Sequence, residues 1–220
     1  MDAENLREIY NKRFQQKTSG WTTSDQRKTR LTTSSVLKWL RKAGLSEKTP
    51  VLLDVGCADG NYTEAFRLLG CSSTGLDYSE VIIEQAKQKY PQCSFIHMNG
   101  FEPKLTSSYD IIFCRGFSGF NTHDLDFIAT WANKYIDYLK SGGFLVLGSM
   151  SDFSGIETKV ELVNHTHAEL KQLINKLKAH HSGIYFFHFL GWVSVIKKKI
   201  QQTLSGKKIK QEYYLIFRKA

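Results

Sequence analysis

Two carboxylates and a pair of glycines set the chemical possibilities of this chain. Asp54-Val55-Gly56-Cys57-Ala58-Asp59-Gly60-Asn61 closes one short apolar run, and Gly75-Leu76-Asp77 closes another. Gly56 and Gly60 carry no Cβ, so the backbone there can turn through positive φ and approach a ligand closely. Asp77 stands 21 residues beyond Gly56, the distance at which a carboxylate reads the ribose hydroxyls of a nucleoside cofactor. A dinucleotide fingerprint needs G-x-G-x-x-G/A, with a pyrophosphate on the following helix N-terminus. Here the matching slots hold Gly56, Ala58 and Asn61, and Asp59 would repel a pyrophosphate. A cationic cofactor with an amino-acid tail suits this acidic loop better.

The elements that must position these groups follow from the hydrophobic pattern. Val51–Val55 is a continuous apolar run broken only by Asp54, as expected of a strand buried on both faces. A helix is expected around Thr63–Leu69, then a strand Ser73–Leu76, and a helix Glu80–Lys89 capped by Ser79. Strands Ser94–Met98 and Tyr109–Cys114, a helix within Leu125–Leu139, and a strand Phe144–Ser149 after the turn Ser141-Gly142-Gly143 continue the alternation. Thr166-His167-Ala168-Glu169 has the form of a capping box opening a helix Leu170–Lys178. Ile184–Leu190 and Glu212–Arg218 read as aromatic-rich strands with a basic helical segment between them. Two amphipathic helices, residues 2–17 and Leu31–Ala43, precede the first strand.

Alternating strands and helices predict an α/β fold. It is doubly wound: a mostly parallel seven-stranded sheet with helices on both faces, an antiparallel edge strand near the C-terminus and an N-terminal helical cap. The expected organisation is a single domain overall, with a helical segment over 1–45 and the sheet domain over 46–220. Ligands of such sheets bind beyond the carboxyl ends of the strands, where the loop at Gly56 lies.

Composition narrows the rest. The chain of 220 residues is 41% apolar and 23% charged, an ordinary globular balance. No apolar run approaches the roughly 20 residues a bilayer crossing needs, and the start, Met1-Asp2-Ala3-Glu4, does not resemble a secretory signal. A soluble, cytoplasmic protein is expected. Cys57, Cys71, Cys93 and Cys114 form no CxxC or CxxH spacing, so no metal site is predicted and the thiols are expected to pack as small hydrophobes. The net charge of +9 divides into +6 over 1–50, −4 over 51–196 and +7 over 197–220. Such ends either steer an anionic substrate or a nucleic acid, or form a solvated face.

Taken in order, five segments resemble the class I S-adenosylmethionine-dependent methyltransferases over about residues 45–150. They are Leu53–Gly60, Gly75–Ser79, Phe95–Gly100, Tyr109–Arg115 and Leu139–Leu145. The resemblance implies a Rossmann-like fold with S-adenosylmethionine as cofactor and S-adenosylhomocysteine as product. It implies that Gly56 and Gly60 lie under the methionine part, that Asp77 takes the ribose, and that Asp54, Cys57, Ala58, Tyr78 and Arg115 are further cofactor-binding residues. Asn99 and Gly100 would edge the adenine, Asn99 standing where the family usually has Asp. Ala58 and Ser141 replace the family's usual Gly and Pro.

The reaction implied is in-line attack of a nucleophile on a sulfonium methyl, with alignment and, for a hydroxyl acceptor, proton removal as the protein's tasks. His123, in the loop after the fourth strand, and Asp152, after the fifth, are the candidate catalytic bases; a surface, capping or turn role is the alternative for each. Arg115 meets an anionic substrate or the cofactor's carboxylate, or else pairs with Asp110 or Asp124. Tyr10, Trp21 and His165 are the candidate substrate contacts, packing being the alternative for Tyr10 and Trp21. The expected acceptor is a small polar or anionic metabolite, methylated on oxygen or nitrogen. RNA is the second candidate because of the basic ends, and a non-catalytic interaction protein the third. No membrane partner is expected.

Overall fold

The computed structural model describes residues 25–156, 163–187 and 210–220. Within them seven strands form one sheet: β1 (Val51–Val55), β2 (Ser72–Asp77), β3 (Ser94–His97), β4 (Tyr109–Arg115), β5 (Leu139–Ser151), β6 (His180–Phe187) and β7 (Gln211–Arg218). Their order is β3-β2-β1-β4-β5-β7-β6. The first five strands run parallel, and β7 is antiparallel to both β5 and β6. The reversed strand therefore sits one place in from the edge, which β6 occupies. Reversal also brings the start of β7 to the carboxyl ends of β4 and β5, with Glu212 opposite Met150.

Five α-helices are described: α1 (Gln26–Lys42), α2 (Asn61–Leu68), α3 (Glu80–Lys89), α4 (Leu125–Asp137) and α5 (His167–Lys176). Because side chains alternate across a strand, the sheet feeds two cores. Leu53, Val55, Ile112, Cys114, Leu145, Leu147, Leu215 and Phe217 pack with α4 and α5 on one face. Leu52, Ile111, Phe113, Phe144, Val146, Tyr214 and Ile216 pack with α1 and α2 on the other. All four cysteines are free, three of them buried. No described helix is long and apolar enough to cross a membrane.

Several boundaries differ from expectation for identifiable reasons. Helix α1 starts at Gln26, not Leu31, because Asp25 caps it through the Lys28 N–H. The first turns bury Thr29, Thr32 and Thr33, whose polarity hides the buried face from a hydrophobic pattern. Two of those hydroxyls donate back to helix carbonyls, Thr29 to Asp25 and Thr33 to Thr29, the usual way threonine is accommodated inside a helix. Strand β5 runs from Leu139 to Ser151 instead of Phe144–Ser149, since β7 pairs with it as far as Ser151. Strand β6 begins at His180, ahead of the expected Ile184. The expected helix over 2–17, residues 188–190 of the expected sixth strand and the basic segment before β7 lie outside the described residues.

Candidate active site

The sheet order reverses direction at β1, with β2 and β3 on one side and β4 and β5 on the other. This switch point is where a doubly wound sheet opens a crevice, and the loop from Asp54 to Gly60 fills its rim. Gly56 donates its N–H to the Leu76 carbonyl at 2.8 Å, and Cys57 donates to the same oxygen at 3.0 Å. Those two bonds fold the loop back over the end of β2. Gly60 has φ +79° and caps α2; a Cβ there would stand 2.7 Å from the Phe95 ring, so only glycine fits. Ala58 is also left-handed, at φ 47°, a conformation that costs a side-chain-bearing residue about 1–2 kcal/mol.

What holds Ala58 there is Asp77. The Ala58 N–H donates to Asp77 Oδ2 at 3.0 Å, and the Ser79 N–H donates to Asp77 Oδ1 at 3.0 Å. An ionised carboxylate has about four acceptor positions, so these donors orient Asp77 without using up its capacity to accept from a ligand hydroxyl. Desolvation raises the Asp77 pKa from its ordinary value, and the N–H donors of Ser79, Ala58 and Tyr78 oppose that rise. Asp54, two residues before Gly56, is buried and accepts from the Thr63 hydroxyl at 2.7 Å. Burial pushes its pKa up to about 7, with the nearby Asp77 adding to the rise.

The rest of the rim falls on either side. Asn99 turns its side-chain oxygen to the Phe101 N–H at 3.0 Å, and the Gly100 carbonyl accepts from the Tyr135 hydroxyl at 2.8 Å. The Tyr78 carbonyl is bound by His97 Nε2 at 3.0 Å. Phe117, whose significance the sequence did not reveal, joins these segments. A Cβ on Gly56 would lie 3.3 Å from its ring, and one on Gly100 would lie 2.9 Å from it. The ring therefore floors the space between the β1 and β3 loops. Its only sequence signal was its place two residues past β4.

Two readings of charge are corrected. Arg115 pairs with neither Asp110 nor Asp124: its Nε donates to Glu212 Oε1 at 2.7 Å. Asp110 instead binds Lys140 and the Val51 N–H, and Asp124 caps α4 through the Phe127 N–H. Glu212 was missed because it lies nearly a hundred residues away in sequence, although it is the one acid within 197–220. Asp59 does not face a ligand as a bare charge, since Lys89 Nζ binds it at 2.8 Å and Asn61 at 2.9 Å. The repulsion argued from Asp59 against a pyrophosphate is therefore largely neutralised.

Farther along the rim, His123 Nδ1 contacts Glu169 Oε1 at 2.5 Å, and Glu169 Oε2 accepts from the Thr166 N–H at 2.7 Å. His165 is completely buried, and its Nε2 bonds the Thr122 carbonyl at 2.8 Å. A carbonyl only accepts, so Nε2 carries the proton and Nδ1 is left to face the Tyr213 hydroxyl at 3.4 Å. The two rings stand 5.8 Å apart. Asp152 Oδ1 accepts from the Ser154 N–H at 2.9 Å, a turn-forming bond. Tyr10 and Trp21 lie outside the described residues.

Residues 52–143 match the family model described as a methyltransferase domain. Over that stretch the chain is similar to a methyltransferase domain. Solved structures agree with the chain in fold. Magnesium protoporphyrin IX methyltransferase from Synechocystis, with S-adenosylmethionine bound, is 14% identical with a TM-score of 0.64, the match covering 100% of this chain and 98% of that one. A putative sarcosine dimethylglycine methyltransferase from Galdieria sulphuraria is 16% identical with a TM-score of 0.64, covering 86% and 85%. An S-adenosylmethionine-dependent methyltransferase from Clostridium acetobutylicum is 12% identical with a TM-score of 0.66, covering 99% and 98%. No curated protein matches the chain in sequence.

The Synechocystis enzyme is solved with S-adenosylmethionine and with S-adenosylhomocysteine bound. The residues here fit such a group: Gly60, at φ +79°, lets the loop turn, and Asp77 keeps acceptor capacity beyond its backbone donors.

Proposed function

We propose that this methyltransferase acts on a small molecule, methylating an oxygen or nitrogen of a polar or anionic metabolite. The observation that carries the methyl-transfer half is Asp77, oriented by two backbone N–H donors beside a glycine loop at the sheet's switch point. The small-molecule half is supported by the neighbours' names, which specify a porphyrin and small amino acids, and by the extent of overlap, 98% and 85% of those chains. When bound, the cofactor supplies an electrophilic methyl group. The protein's own work is to hold the nucleoside by Asp77 and the Gly56–Gly60 loop, with Phe117 flooring the crevice. Asn99 and Gly100 are proposed for the adenine edge, and Cys57, Ala58 and Tyr78 for the walls of the loop.

For a hydroxyl acceptor, His123 is the stronger of the two proposed bases. Its Nδ1 is engaged by Glu169, which orients the ring and supports a proton arriving at Nε2. Asp152 already closes a turn. His165 is proposed to line the acceptor side only through its neighbours, since its ring is buried.

The test is a methyl-incorporation screen with labelled S-adenosylmethionine against separate metabolite and RNA pools. Label in a small molecule is expected. Label in RNA, with RNA binding that falls steeply as salt rises, would replace the acceptor class and give the basic ends their role. Label in neither pool, with the cofactor bound, would favour an interaction protein.

A further inference from the structure

The loop from Asp54 to Gly60 is held by more than Asp77. Asp59, just before the left-handed Gly60, accepts from Asn61 Nδ2 at 2.9 Å and from Lys89 Nζ at 2.8 Å, both on Oδ2. Lys89 is the last residue of α3 and lies 30 residues farther along the chain than Asp59. Its ammonium also donates to Asn61 Oδ1 at 2.9 Å, and the Tyr90 hydroxyl donates to the same oxygen at 2.5 Å. That ammonium stands 5.1 Å from the centroid of the Tyr90 ring. The end of α3 closes in on the glycine as well, since a Cβ on Gly60 would meet Tyr90 at 3.2 Å and the Phe95 ring at 2.7 Å. The residues on either side of Gly60 are thus bonded to each other and to Lys89-Tyr90.

As a contribution to global stability this network is small. The Lys89 side chain is 43% exposed, and surface ion pairs of that kind add little to folding. Its effect is local. Ala58 and Gly60 are both left-handed, at φ 47° and 79°, and that conformation is disfavoured for alanine, so outside contacts must hold the loop in shape. Asp77 holds it through the Ala58 N–H, and Lys89 and Tyr90 hold it through the side chains of Asp59 and Asn61. Between the two supports the Gly60 N–H donates to the Cys57 carbonyl at 3.0 Å. Apparent affinity scales with the fraction of molecules whose binding loop is already in the competent shape.

We propose that Lys89 and Tyr90, at the end of α3, are positioning residues for the Gly56–Gly60 loop: they grip Asp59 and Asn61 and keep the loop competent without touching the ligand. That the ligand is S-adenosylmethionine rests on the methyltransferase reading.

Lys89→Met is the first test, read by stopped-flow binding of S-adenosylhomocysteine. A smaller competent fraction slows association, so kon should fall by about three- to tenfold with koff unchanged. A residue that touched the ligand would raise koff instead, and that result, or an unchanged kon, would overturn the positioning role. Lys89→Arg keeps a cation within reach of both acceptors and should restore most of the rate. Asp59→Ala breaks the grip from the other end. Together with Lys89→Met it should slow association little more than either change alone, because one grip is lost once. Losses that multiply would overturn the proposal. The double variant also removes the bare Asp59 charge that Lys89→Met leaves behind, so full recovery of kon would assign the effect to charge and overturn the grip.

Amide hydrogen exchange of the ligand-free protein reads the loop without any cofactor. In Lys89→Met the Ala58 and Gly60 N–H groups should exchange about three- to tenfold faster while the sheet amides and the melting temperature stay where they are. Faster exchange throughout the sheet would mean general destabilisation and would overturn the proposal. Should the wild-type protein fail to bind S-adenosylhomocysteine, the methyltransferase reading falls and exchange alone decides: unchanged rates at those two amides would overturn the grip.

Discussion

At the scale of single residues, Asp77 has the most to do: its two oxygens hold the Ala58 and Ser79 N–H groups and retain acceptor positions beyond them. Asp77→Ala should weaken S-adenosylhomocysteine by about one to two orders of magnitude, the loss expected for charge-assisted hydrogen bonds worth about 1.5–3 kcal/mol. Calorimetric titration of the variant checks this, and an unchanged dissociation constant would remove the ribose from Asp77.

Asp54 makes a different prediction, about pH. Burial raises its native pKa from 3.8 to about 7, so the folded state holds a proton that the unfolded chain releases at lower pH. This group's contribution to stability therefore falls as pH rises from about 4 to about 7 and is level above that. Asp54→Asn keeps an acceptor for Thr63 and removes the titration. Relative to wild type, the variant should gain stability between about pH 4 and about pH 7 in denaturant melts; a constant difference would contradict the buried-carboxyl account. The placement of Asp54, Gly56, Gly60 and Asp77 was legible in the sequence because it is local to one loop and two strand ends. The pairing of Glu212 with Arg115 and Lys28 was not, because it joins β7 to β4 and α1, a juxtaposition that no spacing along the chain encodes.

At the scale of elements, strands were read well wherever burial on both faces left a continuous apolar run, as in β1 and β4. Ends were read less well: α1 begins on buried threonines, and β5 extends past its apolar stretch because β7 supplies partners for its backbone. The capping box of α5 was visible in Thr166 and Glu169, and both of its reciprocal bonds are present. Its Glu169 carboxylate also carries His123, so the cap ties the loop after β4 to α5. Thr166→Ala should destabilise the protein by about 1 kcal/mol. If the loop depends on the cap, the same change should alter the titration of His123 followed by NMR. A stability loss with an untouched His123 titration would show that Glu169 holds the histidine without help from Thr166.

For the whole molecule, the alternation of strands and helices was enough to anticipate a doubly wound sheet, because parallel neighbours need helical crossovers and the crossovers cover both faces. What alternation does not specify is strand order. The insertion of β7 between β5 and β6 is a long-range pairing, and it is this insertion that delivers Glu212 to Arg115 and Lys28. The fold thus brings together chain running in both directions, with the parallel strands carrying Asp54, Asp77 and Arg115 at their carboxyl ends and the reversed strand carrying Glu212 at its start. Titration of the full chain with S-adenosylhomocysteine, run beside NADH, tests this account most directly. Micromolar binding of S-adenosylhomocysteine with no binding of NADH is the predicted result. Binding of NADH alone would mean that the loop from Gly56 to Gly60 cradles a pyrophosphate, and would contradict the assignment of the site.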